Sequence, residues 1–317
     1  MKIEKYAPII IPTLNRFIHF QRCLESLERC TGAEQTDVYI GLDYPPAEKY
    51  VEGWKKINEY LTEKEKKNGF KNLFVFRRDH NCGVVGPESN YQLLKKTVES
   101  IYDRFISSED DNEFSPNFLE FMNQGLEFYK DDPRVLFISA YTPPLFSRIT
   151  DKNTFFGIDT PAYGLGRWTY KRAYLEYSNE DMAKDMRKSF VNFLRLYWTW
   201  PSIVGMAVDM INKGLRYGDV RLSMYNLLHH TFTLLPSVSL SRNWGCDGSG
   251  IHSGVLVGRE KEEIQQSKTF DLQDIPHEYP PKLLKRIFFL NLPSNKLRAL
   301  KSLVAIFIRM IQFYFKK

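Results

Sequence analysis

Short apolar runs alternate with helical patterns through the first 140 residues, and this alternation constrains the fold more than any other feature. The run "APIIIP" has strand length and stops at Pro12. The stretch "NRFIHFQRCLESLERC" then spaces Phe17, Phe20, Leu24 and Leu27 along one helix face. The pattern repeats as "DVYIGL" ending at Asp43, a helical stretch from Glu48 to about Tyr60, and "NLFVF". A polar loop with Gly83, Gly86 and Pro87 leads into the helical spacing of Tyr91, Leu94, Val98 and Ile101. Strands that alternate with helices in this way predict a mainly parallel sheet covered on both faces.

A chain of 317 residues with 43% hydrophobic content can bury a large core, so disorder is excluded as the overall state. The four cysteines show no C-x-x-C pairing, which argues against a structural zinc site or a disulfide framework. The opening "MKIEKYAPII" has no secretory pattern and no uncharged run is long enough to span a bilayer, so a cytoplasmic location is expected. The formal charge of +6 conceals an asymmetry: residues 281–317 hold nine Lys and Arg and no acid. Residues 1–280 are left with 35 basic against 38 acidic groups, a balance of −3. Basicity belongs to the tail, and nucleic acid is not expected as a partner.

The strand-like run Arg104 to Ser108 leads straight into Glu109, Asp110 and Asp111 in "FISSEDDNEF". Adjacent carboxylates repel, more strongly beside a low-dielectric interior, so a positive charge is expected among them. Hard cations such as Mg2+ or Mn2+ bind through one or two carboxylates. For the residues taken alone a solvated acidic turn with an Asx hydrogen bond is the better account, so the surrounding sequence must decide. Ser115 is expected to cap the following helix, with Pro116 at its first position and Phe118, Leu119, Met122 and Leu126 as its apolar stripe. The loops carrying Asn15, Asp43 and the acidic triplet all follow strands, and open α/β sheets bind ligands at such ends. Beyond residue 141 the alternation fades into "GLGRWTYKRAY", read as a turn, a long helical region around 180–213, and the turn-rich "SRNWGCDGSGIHSG".

The segment "FISSEDDNEFSPNFLEFM" resembles the metal-binding stretch of GT-A fold glycosyltransferases. It is similar to glycosyltransferase family 2 type bacterial sugar transferases and to the N-acetylglucosaminyltransferase I family. The likeness extends over "PIIIPTLNR", "GLDYPP", "NCGVVGPESNYQLL", "GLGRWTYKRAY" and "SRNWGCDGSGIH", most of residues 6–255. It implies an α/β fold of GT-A, Rossmann-like type, with a mixed, mainly parallel sheet flanked by helices and a C-terminal amphipathic helix. Residues 1–140 would bind the nucleotide sugar, 141–260 the acceptor, and 261–317 would be a linker and a membrane-associating tail. The resemblance implies that Asp111 binds Mn2+ or Mg2+, that Glu109 and Asp110 hold the ribose or donor sugar, and that Asp43 binds the base. Pro12, Asn15 and Arg16 would border the same pocket, and His252 would complete the metal site. Asp219 in "RYGDVRLSMY" is implied as the catalytic base, against the alternative of capping the helix that follows it. Trp168 and Trp244 are candidate sugar platforms, whereas His229 and His230 read as packing or capping residues.

The implied activity is metal-dependent, inverting transfer from a nucleotide sugar, foremost a UDP-sugar, to a glycan or lipid-linked acceptor in bacterial surface polysaccharide or lipopolysaccharide synthesis. A metal-dependent nucleotidyltransferase would use the same acids, but no Gly-rich, Lys- and Arg-bearing loop follows the first strand to grip a triphosphate. A non-catalytic, membrane-associated carbohydrate-binding protein is the third reading. From Arg298 onward, polar residues at 298, 301, 302, 309, 312 and 316 form a narrow stripe on an otherwise apolar helix. That pattern suits an anionic membrane surface, here the inner face of the cell membrane, or docking on the domain itself.

Overall fold

The computed structural model describes residues 3, 5–84, 86–158, 163–215, 217–248, 262–267, 269–290 and 292–315. The alternation is realised as β1 (Ile9–Thr13), α1 (Phe17–Glu28), β2 (Asp37–Leu42), α2 (Val51–Lys66), β3 (Asn72–Arg77), α3 (Asn90–Glu99) and β4 (Arg104–Ser107). β5 (Asn112–Phe114), α4 (Phe118–Phe128) and β6 (Val135–Ser139) follow. The remainder adds β7 (Thr154–Gly157), β8 (Leu165–Trp168), α5 (Asn179–Arg187), α6 (Phe190–Thr199), α7 (Pro201–Lys213) and α8 (Gly218–His229). It ends with β9 (Phe232–Pro236), β10 (Ser241–Asn243), α9 (Pro281–Phe288) and α10 (Lys296–Phe315).

Eight strands form one mixed sheet in the order β3-β2-β1-β4-β8-β6-β9-β7, with β8 and β7 antiparallel to the rest. The period of two sorts β1: Ile9 and Ile11 enter the core shared with α1 and α4, and Ile10 packs with Leu94 and Val98 of α3. The chain lays β2 and β3 on one side of β1 and returns to place β4 on the other. The ends of β1 and β4 therefore part at a topological switch point, where open α/β sheets hold their ligands.

Pro12 does not end its strand: it lies within β1, in register with Gly41. Ile10 O accepts from Ser108 N on the β4 side, and Thr13 O accepts from Asp43 N on the β2 side. Pro12 shares the side of Ile10, where β4 has already turned away, so its missing N–H costs no ladder bond. "GLGRW" is not a turn but the strand β8. Gly164 does take a positive φ of 97°, whereas Gly166 serves packing, since a Cβ there would lie 3.0 Å from Met122 of α4. Ser115 does not cap α4. Its hydroxyl donates to Gln265 O at 2.5 Å, and the helix begins at Phe118 behind Asn117. The long helical region breaks into three: Ser178 and Asp181 form a capping box on α5, Ser189 caps α6, and Pro201 opens α7. His230 is the left-handed C-cap of α8, and His229 stacks on Tyr225.

α5 to α10 surround a second core. From α10, Ile306, Met310 and Phe313 are buried in it, and the Arg187 guanidinium lies 4.2 Å over the Phe313 ring while donating to Phe313 O at 3.0 Å. Docking on the domain thus claims one face of the tail helix. Phe313→Ala is expected to cost about 3 to 5 kcal/mol, read as a lowered urea midpoint; an unchanged midpoint would place α10 outside the cooperative unit. Among the described residues, no helix is long and apolar enough to cross a membrane.

Candidate active site

Thr13 and Arg16 at the end of β1 meet the acids that follow β4. Thr13 Oγ1 donates to Asp110 Oδ2 at 2.9 Å, and the Arg16 guanidinium reaches Asp110 Oδ1 through Nη2 and Asp111 Oδ2 at 2.8 Å through Nη1. The positive charge that the triplet demands is therefore supplied by this chain. Asp110 and Asp111 are buried, and a buried carboxylate persists only when paired and hydrogen-bonded. Burial pushes the Asp110 carboxyl up from its ordinary value while Arg16 opposes that rise. Arg16 is itself half-buried; burial works against its charge, but Asp110 and Asp111 outweigh it and hold the guanidinium above its usual range.

The other oxygen of Asp111 is also taken. Asn243 Nδ2 donates to Oδ1 at 2.6 Å, and Trp244 N donates to the Asp111 carbonyl at 2.8 Å. Both contacts exist because β5 and β10 pair, with Asn112 opposite Asn243. Gly245 completes this wall: a Cβ there would stand 2.0 Å from Asp111 Oδ2 and 3.1 Å from Arg16 Nη1. The loop is tied to α1 by Asp247 and His19, whose Nε2 lies 3.0 Å from Asp247 Oδ2. On the opposite side, a Cβ at Gly53 would lie 2.0 Å from Asn15 O, so only glycine lets α2 press on the loop that carries Arg16.

Asp43 is buried at the end of β2. Its Oδ1 accepts from Tyr44 N at 2.9 Å and Cys82 N at 2.8 Å, and Oδ2 accepts from Asn81 Nδ2 at 3.3 Å. It fastens the loop after β3 to the loop after β2, a short step from Thr13, whose carbonyl receives the Asp43 N–H. Pro12, Asn15, Arg16, Asp43 and the triplet thus lie in or just after the carboxyl ends of the neighbouring strands β1, β2 and β4. Asp219 is not among their contacts. It is exposed in the first turn of α8, two residues past the N-cap Tyr217, with no hydrogen-bond or ion-pair partner among the described residues. It does not cap the helix. His252 lies outside the described residues.

A divalent cation would need open carboxylate oxygens, and those of Asp110 and Asp111 are occupied by Arg16, Thr13 and Asn243. Among the described residues no group of three or more His, Cys, Asp and Glu could hold a metal ion. The described residues do not fit Mn2+ or Mg2+ as they stand, because a guanidinium holds the place. Of the two tryptophans, only Trp244 keeps part of its ring exposed. Trp168 is buried with Nε1 donating to Leu126 O, and Trp244 donates to Glu113 while Arg22 lies 4.1 Å over its ring.

Glu109 is exposed, and its carboxylate has no partner among the described residues. Although the residue as a whole is exposed, desolvation of its carboxyl first, then the charges of Asp111 and Asp110, push it up to about 8 from 4.5. The fold therefore loses stability from this group as pH rises from about 4.5 through 8. Glu109→Gln should match the parent at pH 4 and exceed it at pH 8.5 by on the order of 1 kcal/mol, because water screens an exposed carboxyl. Thermal melts across that range check this, and a gap that does not widen with pH would refute it.

Thr13, His19, Gly53 and Asn243 carried no signal in the sequence, since each acts through a distant partner. Gly245 was visible only as part of a Gly-rich loop.

No protein-family model and no curated protein matches this chain. Among solved structures, S. aureus TarS 1-349 aligns with 98% of this chain and 81% of its own at 11% identity and a TM-score of 0.45. The longer S. aureus TarS is matched over 54% of this chain at 14% identity and a TM-score of 0.38, and this chain spans only 29% of its length. The mannosyltransferase PcManGT from Pyrobaculum calidifontis, in complex with GDP-Man and Mn2+, aligns with 71% of this chain and 70% of its own at 13% identity and a TM-score of 0.39.

Proposed function

We propose that this chain is an inverting glycosyltransferase that uses a nucleotide sugar, foremost a UDP-sugar, to extend a glycan or lipid-linked acceptor of a bacterial surface polysaccharide or lipopolysaccharide. The observation that carries the reading is the cluster at the switch point. Three consecutive acids and an arginine gather where β1 and β4 part, bordered by the loops after β1 and β2. Guanidinium pairs bidentately with phosphate as readily as with carboxylate, so Arg16 is the residue suited to the donor diphosphate. Glu109 offers an unpaired carboxylate to the ribose or sugar hydroxyls.

Asp219 is the base in this reading. It takes the proton of the acceptor hydroxyl as that oxygen bonds to the anomeric carbon. The bond to the diphosphate breaks, and its electron pair leaves on the phosphate oxygen. The support for Asp219 is its exposed carboxylate, engaged in no other contact among the described residues. Mn2+ or Mg2+ enters only as a variable to test, because Arg16 holds the oxygens that the cation would take.

Thermal melts with UDP-, GDP-, CDP- and dTDP-sugars, each with Mn2+, Mg2+ or a chelator, test the reading. One nucleotide sugar should raise Tm; a flat response to all of them overturns the proposal. Stabilisation that survives the chelator unchanged assigns the diphosphate to Arg16 and removes the cation.

A further inference from the structure

The tail helix α10 is apolar on two opposite sides, and among the described residues only one of them is docked in the second core. Its inward side is docked through Ile306, Met310 and Phe313. Its outward side carries Leu297, Leu300, Val304, Ile308, Ile311 and Phe315, spaced three or four residues apart and therefore on one stripe. Leu297 is 62% exposed, Leu300 58% and Phe315 69%. A helix that served only to close the second core would present polar residues there.

α6 extends the stripe into a broader face. Tyr197 packs on Phe307, Phe190 packs on Phe315, and Tyr197 Oη donates to Leu303 O, so the two helices lie side by side. α6 turns Val191, Arg195 and Trp198 outward beside α10. Trp198 is 65% exposed and stacks on Phe288 of α9, next to the exposed Phe289. Lys285, Lys296, Arg298 and Lys301 are exposed, and no ion pair ties them among the described residues. Arg309 is the basic residue of α10 that does pair, with Asp209 at 2.6 Å.

We infer that the face formed by α6, the end of α9 and α10 lies flat on a lipid bilayer that carries anionic headgroups. An apolar stripe bordered by Trp, Phe, Lys and Arg is the chemistry of an interfacial surface: the apolar side chains enter the acyl boundary and the cations meet headgroups. Residues 281–317 hold nine basic groups and no acid, which favours a negative partner. A second copy of the chain would bring this cationic face against itself in a two-fold interface, where like charges repel.

The test needs no nucleotide, so it stands or falls apart from the proposed activity. The full chain is sedimented with vesicles of phosphatidylcholine alone and of phosphatidylcholine mixed with phosphatidylglycerol. Binding should favour the anionic vesicles and weaken with salt. Leu300→Gln with Ile308→Gln, and separately Arg298→Gln with Lys301→Gln, should each reduce bound protein about tenfold. Both pairs point outward, so Tm should stay at the parent value, and Met310→Gln serves as the inward control that lowers it. Equal binding to both vesicles, or pairs that bind like the parent, overturns the inference. So does a dimer in light scattering that either pair dissolves, which would make the face a contact between copies.

Discussion

Arg16→Met lowers folding stability by about 3 kcal/mol at pH 8, because it leaves Asp110 and Asp111 buried without their counter-charge. The loss shrinks as pH falls. Without the guanidinium, the Asp110 carboxyl, already pushed up by burial, rises further. A folded-state pKa above the unfolded one means the native state holds its proton and is penalised only as pH climbs through that pKa. At low pH a protonated Asp110 has no charge to desolvate, and the variant moves toward the parent. Urea melts across pH 4 to 8 check the sign, and a loss constant with pH would show that Arg16 contributes packing alone. Asp110→Asn added to Arg16→Met should recover part of the stability at pH 8, since one of the two stranded charges is gone. A Mn2+ titration of the single variant adds a further reading. If guanidinium and metal compete for the same oxygens, Mn2+ stabilises the variant more than the parent.

Under the proposed function, Asp219→Asn carries the largest expected effect on activity. Removal of a general base from glycosyl transfer lowers kcat by about 10² to 10⁴, and a thousandfold loss is about 4 kcal/mol of barrier. The affinity for donor should not change, because Asp219 touches none of the residues that gather at the acids. Stability should change by less than about 1 kcal/mol, since among the described residues the carboxylate does no more than face the positive end of α8 from its first turn. A variant that folds, binds donor and transfers within a few-fold of the parent rate removes Asp219 from the mechanism. Loss of donor binding together with rate would instead make it a residue of the pocket.

The two effects differ in how they were legible. Asp219 stands out through resemblance, and the structure has it exposed in the first turn of α8, with no cap hydrogen bond and no partner among the described residues. Arg16 was expected beside the pocket, yet its two partners were not foreseen, because a guanidinium and a carboxylate 94 residues apart share no local pattern. Glycines misled for a related reason. "GLGRW" reads as a turn by composition, but Gly166 is small to admit α4, a demand that arises only once α4 lies on the sheet.

Sequence alone determined the alternating strands and helices of the first half, the mainly parallel sheet and the tail helix. These follow from periods of two and 3.6 that each segment carries within itself. The tertiary structure decided which cation answers the acids, which side of α10 is buried, and that Thr13 and Asn243, 97 and 132 residues from their carboxylates, complete the cluster. Contacts of that range are set by how the sheet is ordered and where β1 and β4 part, and no stretch of sequence read by itself encodes them.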